Sequence, residues 1–203
     1  LTNSDFADAH PNVSVIGTDI SPIQPGWVPP NLFFEMEDAT QPWTFADNSF
    51  DYVHMRYLFG SIADWDELFR QAYRVVKPGG FVESFEADAL LTSEDGTVVE
   101  GSPLDQWGKV FLEGGRKFGR SFAVVNEDLQ RKGLEAAGFT NLVQWDFNVR
   151  FRWLGGGVLG VSECMPVLTG FCGAVSHHRL ACRPEAQGDW QLQPPRPGAG
   201  HGR

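Results

Sequence analysis

The chain has 203 residues, 42% of them hydrophobic, and a formal net charge of −10, which suits one domain with a real core and a tail. The acidic excess argues against a nucleic-acid backbone or an anionic membrane surface as the main partner; it is concentrated in residues 1–100, which carry 17 acids against 4 bases. No run approaches the roughly 18 apolar residues of a membrane span, no secretory signal is visible, and no cysteine precedes Cys164, so an intracellular protein is the expectation.

The elements follow in chain order. Residues 5–10, "DFADAH", read as the last turns of a helix stopped by Pro11-Asn12. "VSVIGTD" is a short apolar, β-branched strand of the kind buried in a parallel sheet. A proline-rich loop, "SPIQPGWVPPN", leads to a second strand, "LFFEMEDA", and a further loop leads to a third, "FDYVHMRYL". The next segment predicts a helix: Asp64 as N-cap, Glu67 three residues on, and Trp65, Leu68, Phe69, Ala72 and Val76 on one face. Pro78-Gly79-Gly80 is expected to end it and turn the chain into a fourth strand, "FVESFEA". "PLDQWGKVFLEGGRKFG" predicts an amphipathic helix with Leu104, Trp107 and Phe111 at helical spacing. Another helix is expected from Asn126 as cap to Gly138 as its C-terminal glycine, followed by a fifth strand, "NLVQWDFNVRF". Strands alternating with helices imply right-handed crossovers and an α/β parallel sheet.

In such a sheet, ligands bind outside the carboxyl ends of the strands. The residues there are Asp19-Ile20, Asp38-Ala39, His54 to Arg56 and Glu83 to Glu86. A carboxylate at Asp19 can accept from vicinal ribose hydroxyls, and one at Asp38 can accept from an exocyclic amine such as adenine N6, with Ala39 beside the ring. His54 and Arg56 alternate along the third strand, with Met55 facing the other way. They sit where a charged amino-acid group or a substrate would lie.

The stretch from "VIGTDIS" through "DAT…FADNSFDYVHMRYL" to "RVVKPGGFVESFEA", with "LEAAGF" further on, resembles a class I S-adenosylmethionine-dependent methyltransferase over about residues 5–150. More narrowly, it is similar to fungal methyltransferase-domain proteins that include regulators of secondary metabolism. The resemblance implies a Rossmann-like α/β sheet and S-adenosylmethionine as cofactor. Its site would hold Asp19 and Ile20 at the ribose, Asp38 and Ala39 at the adenine, and His54 beside the cofactor. Arg56 and Tyr57 would lie toward the substrate. It implies transfer of a methyl to a small-molecule or protein acceptor, with no catalytic base assigned. It also implies that the chain begins at the family's second strand, because no glycine-rich loop lies in the roughly 20 residues before Asp19. The sheet is therefore expected to be incomplete, and poor solubility is expected from its exposed edges.

Two other readings stay open: a non-catalytic remnant or interaction module that kept the sheet, and an NAD-type Rossmann enzyme. The Pro-Gly-Gly unit and "NSFDYVH" favour the methyltransferase over the latter. The domain is expected to span 1–153. Residues 154–203 read as a disordered tail rich in Pro, Gly, Gln and Arg, introduced by the linker "LGGGVLG" and arising from an altered frame or an unspliced segment. Cys164, Cys172, His177, His178 and Cys182 lack a Cys-x₂-Cys pair, so no metal is expected.

Overall fold

A computed structural model of the chain describes residues 2–22, 24–93, 96–151 and 172–183. Helix α1 (Thr2–Ala9) leads into strand β1 (Val15–Asp19), which pairs in parallel with β2 (Leu32–Met36). Strand β3 (Phe50–Arg56), helix α2 (Trp65–Val75) and strand β4 (Val76–Ala87) form a parallel crossover unit. The short strand β5 (Thr92–Ser93), helices α3 (Pro103–Phe118) and α4 (Leu129–Ala137), and strands β6 (Thr140–Phe151) and β7 (Cys172–Cys182) complete it.

The architecture is mixed α/β, as the sequence implies, but its strands fall into two sheets. One is the β1–β2 pair; the other runs β3-β4-β7-β5, with β6 also paired to β7. Among the described residues, no strand pairs the outer edges of β1 and β3 that would join the two sheets.

Helix α2 forms where its sequence predicts, but Val76, expected on its apolar face, is in extended backbone as the C-cap and first residue of β4. The Asp64 carboxylate accepts the Glu67 backbone N–H at 2.8 Å, satisfying one of the first-turn donors that have no partner inside the helix. Trp65, Leu68, Phe69, Ala72 and Val75 are buried on one face, against α4 and the sheet. Each large apolar side chain buried there contributes about 1.5–3 kcal/mol. Gly133 of α4 permits the close approach of the two helices, since a Cβ there would meet the Phe69 ring at 2.4 Å.

The ends of other elements depart from expectation. The helix stops at Val75, short of Pro78, whose ring disfavours helical backbone at Lys77 and which has no N–H to continue the helix. Lys77 to Gly80 do not turn the chain; they form a bulge inside β4, between the pairs Phe50–Val76 and Tyr52–Phe81. Asn126 is not the cap of α4. The helix opens at Asp128, in left-handed backbone, while Asn126 and Val125 donate their N–H groups to the Asp88 carboxylate. Gly138 does close α4, with φ of 99°. In α3, Leu104 and Trp107 face solvent, and the buried positions are Gly108 and Gly115.

The largest departure lies in the segment expected to be a tail. Strand β7 is inserted antiparallel between β4 and β6, with Ala181 fully buried opposite Val82. Its backbone groups find partners on both sides, so the strand needs no amphipathic signature of its own. The linker "LGGGVLG" and residues 184–203 lie outside the described residues. No helix among the described residues is long and apolar enough to cross a membrane.

Candidate active site

Asp19 ends β1 and Asp38 follows β2 by two residues, and the parallel register (Asp19 opposite Met36) brings both acids to the same end of the pair. Each carboxylate is oriented by its own turn. Asp19 Oδ1 accepts the Ser21 N–H at 2.8 Å. Asp38 Oδ1 accepts the Thr40 N–H at 2.9 Å and the Thr40 hydroxyl at 2.7 Å. These bonds hold the Asp38 carboxyl below its ordinary range, helped by the Arg120 charge. Among the described residues, Oδ2 of each acid accepts no hydrogen bond. Two carboxylates with one oxygen fixed and one available suit hydroxyl and amine donors. That is the donor set of a ribose and an adenine, so these residues fit the adenosyl part of S-adenosylmethionine. Ile20 is exposed, and Ala39 packs against the core while its carbonyl accepts the Trp43 indole N–H at 3.3 Å.

His54 lies in β3, directly opposite Glu83 of β4. Its Nδ1 is 2.5 Å from Glu83 Oε2, and the Tyr52 hydroxyl bonds the same oxygen. Burial, together with the Glu83 carboxylate, pushes the Tyr52 phenol up, so it stays protonated and donates. The other ring nitrogen, Nε2, is buried and has no partner among the described residues. The sequence places Glu83 near the strand ends; the cross-strand pairing that makes it the partner of His54 needs the register.

Arg56 ends β3 with its guanidinium over the rings of Tyr57 and Phe85, at 4.9 and 5.2 Å. Tyr57 follows in left-handed backbone, φ 54°, and donates its N–H to the Phe85 carbonyl. The next two N–H groups, of Leu58 and Phe59, go to the two oxygens of Glu86 at 2.9 and 3.0 Å. Glu86 is fully buried, and burial pushes its carboxyl up to about 7 against the pull of those two donors. Asp88 holds Val125 and Asn126 in the same manner. The acids at the end of β4 therefore anchor the loops that follow β3 and α3. That role was invisible in the sequence, because the N–H groups they bind are 27 to 38 residues away.

The chain has relatives among known proteins. The methyltransferase domain family matches residues 4–144. Methyltransferase pytC of Aspergillus terreus is 34% identical over 145 residues, covering 71% of this chain and 44% of pytC. The secondary metabolism regulator LAE1 of Cochliobolus heterostrophus is 32% identical over 180 residues, covering 81% of this chain and 57% of that protein. The chain thus spans about half the length of the curated relatives it matches. Among solved structures, a SAM-dependent methyltransferase of Thermotoga maritima has a TM-score of 0.51 at 20% identity, covering 83% of this chain and 72% of that one. Phosphoethanolamine N-methyltransferase 2 of Haemonchus contortus, solved with S-adenosylhomocysteine, has a TM-score of 0.55 at 16% identity, covering 89% of this chain and 46% of that one. By these matches and by its fold, the chain belongs to the methyltransferase-domain family, with the Rossmann-like architecture of class I S-adenosylmethionine-dependent methyltransferases.

Proposed function

We propose that the chain binds S-adenosylmethionine and serves methyl transfer to a small-molecule or protein acceptor, without direct nucleic-acid contact. The observation that carries this reading is the pair of turn-fixed carboxylates, Asp19 and Asp38, at one end of two adjacent parallel strands. Asp19 with Ile20 holds the ribose, and Asp38 with Ala39 holds the adenine. His54 lies toward the cofactor, and Arg56 and Tyr57 lie on the acceptor side. When bound, the cofactor supplies an electrophilic methyl on a sulfonium. The protein's share is to position and desolvate, and no residue need act as an obligatory base.

Arg56 is pre-oriented by two rings, which lowers the entropy of presenting its guanidinium to an acceptor. Glu86 fixes the loop that carries Tyr57.

A ligand that binds only the folded chain raises its unfolding temperature. S-adenosylmethionine is expected to raise the melting temperature of the full chain. Asp19→Ala and Asp38→Ala should each weaken the apparent affinity roughly tenfold, the loss of about 1.4 kcal/mol expected for a charge-assisted hydrogen bond. Variants that melt like the parent without ligand, and respond to the cofactor like the parent with it, would refute these assignments.

A further inference from the structure

We propose that α3 pairs with the α3 of a second copy of this chain, antiparallel, about a two-fold axis between Val110 and Phe111. One face of the helix meets the rest of the chain. Gly108 and Gly115 are buried there, where a Cβ would meet Ala89 at one and Arg120 and Phe122 at the other. The Phe111 ring reaches Phe122, with centroids 5.3 Å apart. A second apolar face, about a quarter turn round the helix, has no cover among the described residues. It carries Trp107, Val110 and Phe118, at 59%, 68% and 82% exposure, with Leu104 at its edge. A contiguous exposed stripe of this kind, unlike single scattered apolar residues, marks a protein contact surface.

The stripe is complementary to itself. Gly114 lies on it, and nothing stands within 4 Å of where its Cβ would be. A glycine inside a helix opposes helix formation, and this one makes room for nothing in its own chain. It leaves a hollow in the stripe. About the proposed axis, Trp107 faces the partner's Gly114, Val110 faces the partner's Phe111, and Phe118 faces the partner's Pro103. Trp107 is already braced by the Phe111 ring at 4.9 Å. Charge selects the same direction. Glu100 and Asp105 lie at the N-terminal end of α3, and Arg116, Lys117 and Arg120 at its C-terminal end. Asp105 is bonded to Lys109 at 2.8 Å, and Arg116 lies 3.4 Å from Glu113. Glu100 and Lys117 make no ion pair among the described residues, and antiparallel pairing sets each near the other across the contact. A parallel pair would set Trp107 on Trp107, align the two helix dipoles and bring the basic ends together. One helical stripe is small beside the roughly 800 Å² per partner of a stable interface, so the dimer is a weak one.

The contact does not depend on the methyl-transfer reading. Sedimentation velocity of the full chain should show a monomer passing to a dimer as concentration rises from about 5 to about 200 µM. Gly114→Trp fills open space in the monomer, so the variant should keep the parent's circular dichroism and melting temperature. It should nevertheless weaken the dimer at least about tenfold, because two indoles then compete for one hollow. Exchanging the pair, Trp107→Gly with Gly114→Trp, restores a knob opposite a hollow and should regain the dimer. Lys117→Glu should weaken the dimer about threefold, and adding Glu100→Lys should reverse that loss. A parent that stays monomeric, its α3 face then serving another protein or another segment of this chain, would overturn the proposal. So would a folded Gly114→Trp variant that dimerises like the parent, which would move the contact to another face such as the sheet edges.

Discussion

Glu86 shows how much one residue can set. Its carboxylate is buried, accepts two consecutive loop N–H groups, and is pushed up to about 7. A carboxyl whose folded pKa lies above its unfolded value of 4.5 favours the folded state while protonated. Its contribution is complete below about 4.5 and is lost as pH rises through about 7. Denaturant unfolding from pH 5 to pH 8 should therefore show a decline of about 2–3 kcal/mol attributable to this group. In Glu86→Gln that part of the slope should vanish. The variant should also be less stable at pH 5, because an amide oxygen can satisfy only one of the two donors well. A parallel decline in parent and variant would assign the slope to other groups. The strand-end positions of Asp19 and Asp38 were legible from sequence because strand ends and residue type are local properties. The pairing of His54 with Glu83 and the clamping by Glu86 and Asp88 were not, because they depend on register and on segments distant in the chain.

Among the elements, α2 is the best specified. Cap, helix start and the apolar face from Trp65 to Ala72 agree in sequence and structure, since all are set within a few residues of one another; Val76 instead opens β4. Leu68 is 2% exposed in the centre of that face. Leu68→Ala should cost about 2–5 kcal/mol in urea unfolding, and Asp64→Ala about 1 kcal/mol through the lost cap. Equal small losses would mean that the α2–α4 contact is not the core. Helix α3 was read less well. Its apolar residues have the right spacing, but spacing does not say whether a partner covers the face, and Leu104 and Trp107 remain 42% and 59% exposed. The Pro-Gly-Gly unit misled for a related reason: the bulge in β4 is stabilised by Arg183, beyond β7, which exchanges N–H and carbonyl bonds with Gly79 and Gly80.

At the scale of the molecule, β7 changes what the C-terminal part means. A strand bonded on both sides cannot be removed without stripping partners from β4 and β6. A chain ending after residue 153 should lose cooperative unfolding by circular dichroism, and one ending after residue 183 should keep it; a cooperative shorter chain would show that β7 is dispensable. The edges of β1 and β3, unpaired among the described residues, together with exposed Phe33, Met36 and Trp27, give the chain surfaces that favour self-association, to be read by sedimentation velocity. The central claim, that the two turn-fixed carboxylates make this an adenosyl-cofactor protein, is tested most directly by isothermal titration calorimetry of the full chain. Saturable heat with S-adenosylmethionine and S-adenosylhomocysteine, and none with NAD, is the predicted result. Binding of NAD with no response to either adenosyl compound would contradict it.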